Sequence, residues 1–246
     1  MAYYLCCHKT RPIMIKKKFV LSIILFTAFT GVFAQNGDDK LVRLGIRAGA
    51  GLQTIYGEAF NGDKLNNDFR VGYHAGITAD LLVTPAFYLQ PALIYSVKGA
   101  KRSAASTDVT ENISYIELPV NLLLKPELGN GRLLLGAGPY IAYGINGFQK
   151  SESENTSAKL NAKFKNTVTA EDISAADVFN NNYYFLKPFD FGANVLAGYE
   201  FNGGFNIQVN GQFGLTNMQP KIEGVTTANK ANAKHLGFGI SLGYKF

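Results

Sequence analysis

The last twelve residues, His235 to Phe246 (HLGFGISLGYKF), constrain the chain most. Leu236, Phe238, Ile240, Leu242, Tyr244 and Phe246 share one parity, and His235, Gly237, Gly239, Ser241, Gly243 and Lys245 share the other. Successive side chains of a strand point to opposite faces, so this segment has one wholly apolar face and one small or polar face. A soluble strand rarely spaces its large residues so regularly and then ends on an aromatic. Tyr244 and Phe246 close that apolar face.

The same alternation recurs upstream in seven segments, at about 41–55, 70–83, 87–99, 112–124, 132–148, 187–201 and 205–213. In the third, Phe87, Leu89, Pro91, Leu93, Tyr95 and Val97 alternate with Tyr88, Gln90, Ala92, Ile94, Ser96 and Lys98. Tight connections follow the second, fourth and sixth segments, with Gly129-Asn130-Gly131 and Asn202-Gly203-Gly204 as turn sequences. The other four connections are long, at about 57–69, 100–111, 149–186 and 217–233. Short turns at one end and long loops at the other is the pattern of an outer-membrane barrel with both termini periplasmic.

An apolar strand face needs cover, and no set of helices is present to supply it. In lipid an open sheet edge leaves unpaired backbone groups, so the sheet must close. The expected fold is all-β: an eight-stranded antiparallel up-and-down transmembrane barrel over 41–246, after a cleavable signal peptide. Tyr95, Tyr143, Tyr199, Tyr244 and Phe246 suit the aromatic girdles at the two interfaces. A soluble lipocalin-like barrel is the competing fold. It needs the opposite orientation, apolar inside, and parity alone does not separate inside from outside.

Charge is placed unevenly. Of 24 Lys+Arg against 18 Asp+Glu, five basic residues (Lys9, Arg11, Lys16, Lys17, Lys18) and no acid fall in 1–34, leaving 19 against 18. The basic excess belongs to the leader, so a nucleic-acid partner has no support. Lys16–Lys18 form a positive start, Phe19 to Phe33 an apolar run, and Val32-Phe33-Ala34 a small-residue cleavage site between Ala34 and Gln35. That run is shorter than the roughly 20 residues of a spanning helix. Residues 1–13 read as an upstream start or a long leading region before Met14, and 35–40 as a short N-terminal segment. Cys6 and Cys7 both lie in the leader, so the mature chain carries no thiol chemistry.

Three stretches, Tyr115 to Lys125 (YIELPVNLLLK), Gly136 to Gly144 (GAGPYIAYG) and Phe189 to Phe201 (FDFGANVLAGYEF), resemble the outer-membrane β-barrel domain family described as porin-like or PorT-like. The resemblance implies a barrel in the outer membrane of a Gram-negative cell, and it brings no catalytic residues. The closing strand is similar to that of such barrels, which implies that Tyr244 and Phe246 are the C-terminal barrel-assembly signal. The long connection at 149–186 departs from the family pattern.

The polar face gathers Arg43, Arg47, Asp80, Lys98, Glu117, Asp190, Glu200 and Lys245, together with His74 and His235. An eight-stranded barrel is just wide enough for side chains to fill it, so these charges are expected to form an ion-pair network plugging the lumen. Glu117 is expected to pair with Arg47 or another of these cations. His74 and His235 fall near the long-loop ends of their strands, where a lipid-modifying enzyme would place a histidine, but spacing fixes no serine or acidic partner. Asp190-Phe191-Gly192 spells a kinase triplet without its companion motifs, and Gly49-Ala-Gly51 lacks the third glycine of a dinucleotide loop. Both read as strand. Within 149–186, Thr169 to Phe179 suits a short helix begun by Thr169 and Asp172.

The function expected is that of a monomeric outer-membrane barrel with a filled lumen and loops for interaction or envelope structure. It is expected to have no enzyme activity, cofactor or metal. Its partners would be outer-membrane lipid, the barrel-assembly machinery and an extracellular or envelope protein met through 149–186. A narrow porin or transport component is the alternative, and a rim enzyme acting on membrane lipids is a third.

Overall fold

The computed structural model describes residues 41–59, 62–104, 107–154, 156–175, 183–224 and 231–246. The leader with its Ala34/Gln35 cleavage point, the segment 35–40 and the end of the expected helix beyond Ala175 lie outside them.

Among the described residues there are twelve strands and one short helix: β1 Val42–Glu58, β2 Arg70–Thr84, β3 Phe87–Ala104, β4 Thr107–Leu124, β5 Gly131–Ser153, β6 Thr156–Phe164, β7 Thr167–Val168, α1 Ala170–Ala175, β8 Tyr183–Leu186, β9 Phe189–Phe201, β10 Phe205–Gly214, β11 Lys221–Ile222 and β12 Asn232–Lys245. Eight of them form a closed antiparallel ring in the order β1-β2-β3-β4-β5-β9-β10-β12 and back to β1. Closure is made by β1 on β12, from Gly45 opposite Lys245 to Glu58 opposite Asn232. Phe246 extends that seam, its N–H donating to the Leu44 carbonyl at 2.8 Å. The eight segments read from the sequence coincide with the eight ring strands.

Alternation settles which face is which. Val209 and Ile240 are 56% exposed, Leu118 48%, Phe238 46% and Ile207 44%, all on the outside of the ring. The opposite parity is buried and polar: Asp80, Lys98, Glu117, Asp190, Glu200, Gln208 and Ser241 each retain 5% or less of their exposure. A lipocalin-like interior is therefore excluded. So large an apolar belt has no place in water.

The turns are cheap where they must be tight. Gly204, at φ 84°, takes the left-handed conformation in the β9–β10 turn that a side chain would resist. Inside the ring, a Cβ on Gly49 would sit 2.3 Å from the Ile240 carbonyl oxygen and 2.8 Å from the His74 ring, so glycine there makes room for a larger neighbour.

At the other end, parts of two of the expected loops are strand. The segment 100–111 continues the β3–β4 hairpin, with Ala100 opposite Glu111 and Lys101 opposite Thr110. β5 likewise runs on to Ser153 and pairs with β6, which pairs in parallel with β8. These stretches stand above the apolar belt, where neither face meets hydrocarbon, so their composition is polar without the alternation that marks a strand. The step occurs at a bulge: Ser114 faces Asn146 while Tyr115 faces Gly144, leaving Ile145 extra. Below it the even residues Tyr140 and Ala142 point inward, and above it Gly147 does. The connection at 59–69 is also tied down, since Leu65 N–H donates to the Gly57 carbonyl (2.9 Å) and Asp68 exchanges backbone hydrogen bonds with Lys101. In α1, Thr169 Oγ1 accepts the Asp172 N–H and Asp172 Oδ2 accepts the Thr169 N–H, both at 3.2 Å, a reciprocal cap.

Val209 sits half-way along β10 on the outer face. Val209→Arg is expected to cost about 2–4 kcal/mol in denaturant unfolding from lipid vesicles, with Asn210→Arg behaving differently because it points inward. A negligible cost at Val209 would count against a surrounding hydrocarbon layer.

Candidate functional site

The polar interior is built by all eight ring strands and the residue that follows β4. Nearest the tight-turn end, Lys125 Nζ lies 2.5 Å from Asp80 Oδ2 and 2.7 Å from Glu200 Oε2. Lys245 Nζ reaches Asp80 Oδ1 at 2.6 Å and the Thr78 hydroxyl at 2.7 Å. Arg43 reaches Glu200 Oε1 at 2.5 Å, and Gln90 donates to Asp80 at 2.7 Å. Each carboxylate is thus held by two cations. Lys125 is the shared centre, with its ammonium 4.9 Å from the centre of the Tyr88 ring.

A second group lies deeper. Lys98 Nζ is 2.6 Å from Glu117 and 3.6 Å from Asp190, and 4.6 Å from the centre of the Tyr140 ring. Glu117 also accepts from the Ser96 hydroxyl (2.5 Å) and from Gln212 (3.0 Å), and Tyr140 donates to Asp190 at 2.9 Å. Glu117 therefore pairs with Lys98. Arg47 makes no ion pair among the described residues and instead lines a small central cavity with His74, Lys98 and Glu117.

Both histidines lie toward the hairpin ends of β2 and β12, as expected from the sequence, but neither is open there: His235 is 1% exposed and His74 is half-buried. His74 Nε2 is 2.8 Å from Ser241 Oγ, and that hydroxyl donates to Asn210 Oδ1 at 2.8 Å. A serine whose proton goes to an amide oxygen is not being deprotonated by its histidine, and Ser241 is 1% exposed. His235 is buried against Tyr115, whose hydroxyl is 3.1 Å from Nε2. No group of three or more His, Cys, Asp or Glu that could hold a metal occurs among the described residues.

Two apolar clusters bracket this interior. Tyr88, Leu123, Leu134 and Leu196 pack at the tight-turn end. At the other end Ile55, Ile113, Tyr115, Leu186 and Met218, from three strands and the segment after β10, pack together, with Leu65 and Phe164 against them. Backbone hydrogen bonds from Lys187 to Met218 and from Met218 to Ala233, both 2.8 Å, pin that outer layer to β12. The central cavity between the clusters is about 50 Å³, room for only a few water molecules.

Reading the strands by parity missed Lys125. It lies one residue beyond the end assigned to the fourth segment, yet it has the inward parity of Tyr115, Glu117 and Leu123. Extending the pattern by one residue would have found it. Tyr88, Tyr115 and Tyr140 were likewise on the inner face but carried no charge to mark them.

With this geometry in hand, the family can be stated. The model of the outer membrane protein beta-barrel domain matches residues 33–219. The chain belongs to that family. Its barrel therefore crosses the bacterial outer membrane, and the apolar belt is its lipid-facing surface. Among curated proteins no significant relative is found. Solved structures similar to this chain include Ail, the attachment invasion locus protein of Yersinia pestis, at 11% identity and TM-score 0.36, covering 83% of this chain and 98% of that one. The outer membrane protein OprG from Pseudomonas aeruginosa is similar at 12% identity and TM-score 0.32, covering 83% and 95%. At such scores these likenesses carry no argument about this barrel.

Removing Lys125 strips two buried carboxylates of a common partner. Lys125→Met is expected to destabilise the barrel by about 3–5 kcal/mol in urea unfolding from vesicles. Arg43→Met is expected to cost clearly less, because its guanidinium is partly exposed and Glu200 keeps Lys125. Equal losses would remove Lys125 from the centre of the network.

Proposed function

We propose that this outer-membrane barrel is an envelope or interaction protein with a plugged lumen, whose working surface is the set of long hairpins outside the cell. The observation that carries this reading is the bracketing of a buried ion-pair network between two apolar clusters. A conducting path would have to break both clusters and expose paired charges. The tight-turn end, which also holds Leu44 and Phe246, is the periplasmic end in this reading, and the hairpins of β3–β4 and β5–β6 project outward. The leader at 1–34 would deliver the chain to the periplasm, and Tyr244 and Phe246 would present it to the assembly machinery. A single closed ring leaves no strand edge to share, which favours a monomer. The buried, doubly engaged Ser241 gives no support to lipid hydrolysis.

Planar-bilayer recording of the refolded protein is expected to show no stable unitary steps. Reproducible steps that disappear on adding bulk at the central cavity would replace this reading with a narrow channel. In cells, Phe246→Ala is expected to lower the outer-membrane amount several-fold while the same variant refolds normally from urea. Unchanged amounts would deny the terminal residue its assembly role.

A further inference from the structure

Above the outer apolar cluster, on the hairpin side, lies a cavity of about 380 Å³, within the roughly 300–1,000 Å³ range of small-molecule sites. Its wall is apolar over Ile55, Leu65, Val168, Leu186, Met218 and Ile222. One side carries Glu111 of β4. Lipid-facing apolar residues on this hairpin end at Tyr95 and Ile116, which face each other, so Glu111 stands five residues beyond the membrane-crossing part.

Glu111 is set against an apolar wall with little compensation. Arg102 on β3 attracts it, but no ion pair forms between them among the described residues, and the Arg102 side chain is exposed. Lys101 on the same strand is committed to Asp108 at 2.9 Å. Tyr184 on β8 faces Glu111, with Tyr115 further down β4, and Gln149 opposite on β5 is uncharged. Burial pushes the Glu111 carboxyl up to about 7, and the nearby Tyr184 hydroxyl and Arg102 only partly offset it. Glu111 is partly buried there, and a matching charge with an apolar body would pair with it while filling the wall.

We propose that this cavity is a binding site for a small organic cation with an apolar body, held by Glu111 as its counter-charge. Lys101 and Arg102 also reach the lining, but the first is paired with Asp108 and the second is exposed. An anion would have to enter beside the carboxylate, and a purely apolar guest would leave it unpaired. The site is walled in part by five ring strands at the hairpin end and shares no lining residue with the central cavity.

The test uses the full chain in lipid nanodiscs, titrated calorimetrically at pH 8 with 2-phenylethylammonium, 2-phenylethanol and 3-phenylpropanoate. The ammonium is expected to bind saturably and about tenfold or more tighter than the other two, the margin of a charged hydrogen bond. Glu111→Gln is expected to erase that preference. Ile222→Trp, which fills the wall and leaves Glu111 in place, is expected to abolish binding, and Arg102→Ala to leave it intact. Lowering the pH from 8 to 6 protonates Glu111 while the amine stays charged, so wild-type affinity falls and that of Glu111→Gln does not. Heat-modifiable migration on gels checks that each variant is folded. Absence of saturable binding, preference for the carboxylate, unchanged binding by Glu111→Gln or Ile222→Trp, or loss with Arg102→Ala would each overturn the proposal.

Discussion

Everything in this molecule depends on the backbone pairing that joins β1 to β12. Hydrocarbon offers no hydrogen bonds, so a sheet in the membrane persists only when its first and last strands satisfy each other. The seam runs from Gly45 and Lys245 to Glu58 and Asn232, and Phe246 adds a last hydrogen bond beneath it. Glycines at 49, 51, 237, 239 and 243 line its inner side. They leave space there for His74, Gln53 and Asn206, side chains that a Cβ would strike. The termini of the barrel domain and the middle of its wall are thus solved by one element pair.

Closing eight strands leaves a narrow interior that must be filled, and this chain fills it with ions. Buried ion pairs are poor sources of stability, since desolvation consumes most of their attraction. What they supply is an unambiguous inside. A one-residue slip of any strand would bring Asp80, Lys98 or Lys125 into the lipid-facing belt, at a cost that an apolar interior would not impose. The two apolar clusters then seal this polar zone at its ends, where the wall meets water.

The ring was legible because lipid enforces alternation. Each ring strand could be read from residues such as Leu118, Val120 and Leu122 set against Glu117, Pro119 and Asn121. Where that pressure ends, so did the reading. Lys101, Arg102, Ser103 and Asp108 belong to paired strands, yet with water on their surroundings nothing in their pattern separates them from a loop. Partner choice was hidden as well. Glu117 takes Lys98 on the neighbouring strand, where the β3–β4 register sets Ile94 opposite Glu117 and Lys98 two same-face positions further along, beyond Ser96. The outer cavity joins Ile55, Glu111, Tyr184 and Met218 from four separate stretches, a grouping no local pattern announces.

The extra residue at Ile145 has a meaning beyond its own geometry. It uncouples the facing of β5 above it from the facing below, so the upper hairpin answers to its own rules of packing. Evolution can lengthen, shorten or exchange that hairpin without rewriting the wall beneath, and a protein engineer can graft a foreign segment at the same joint.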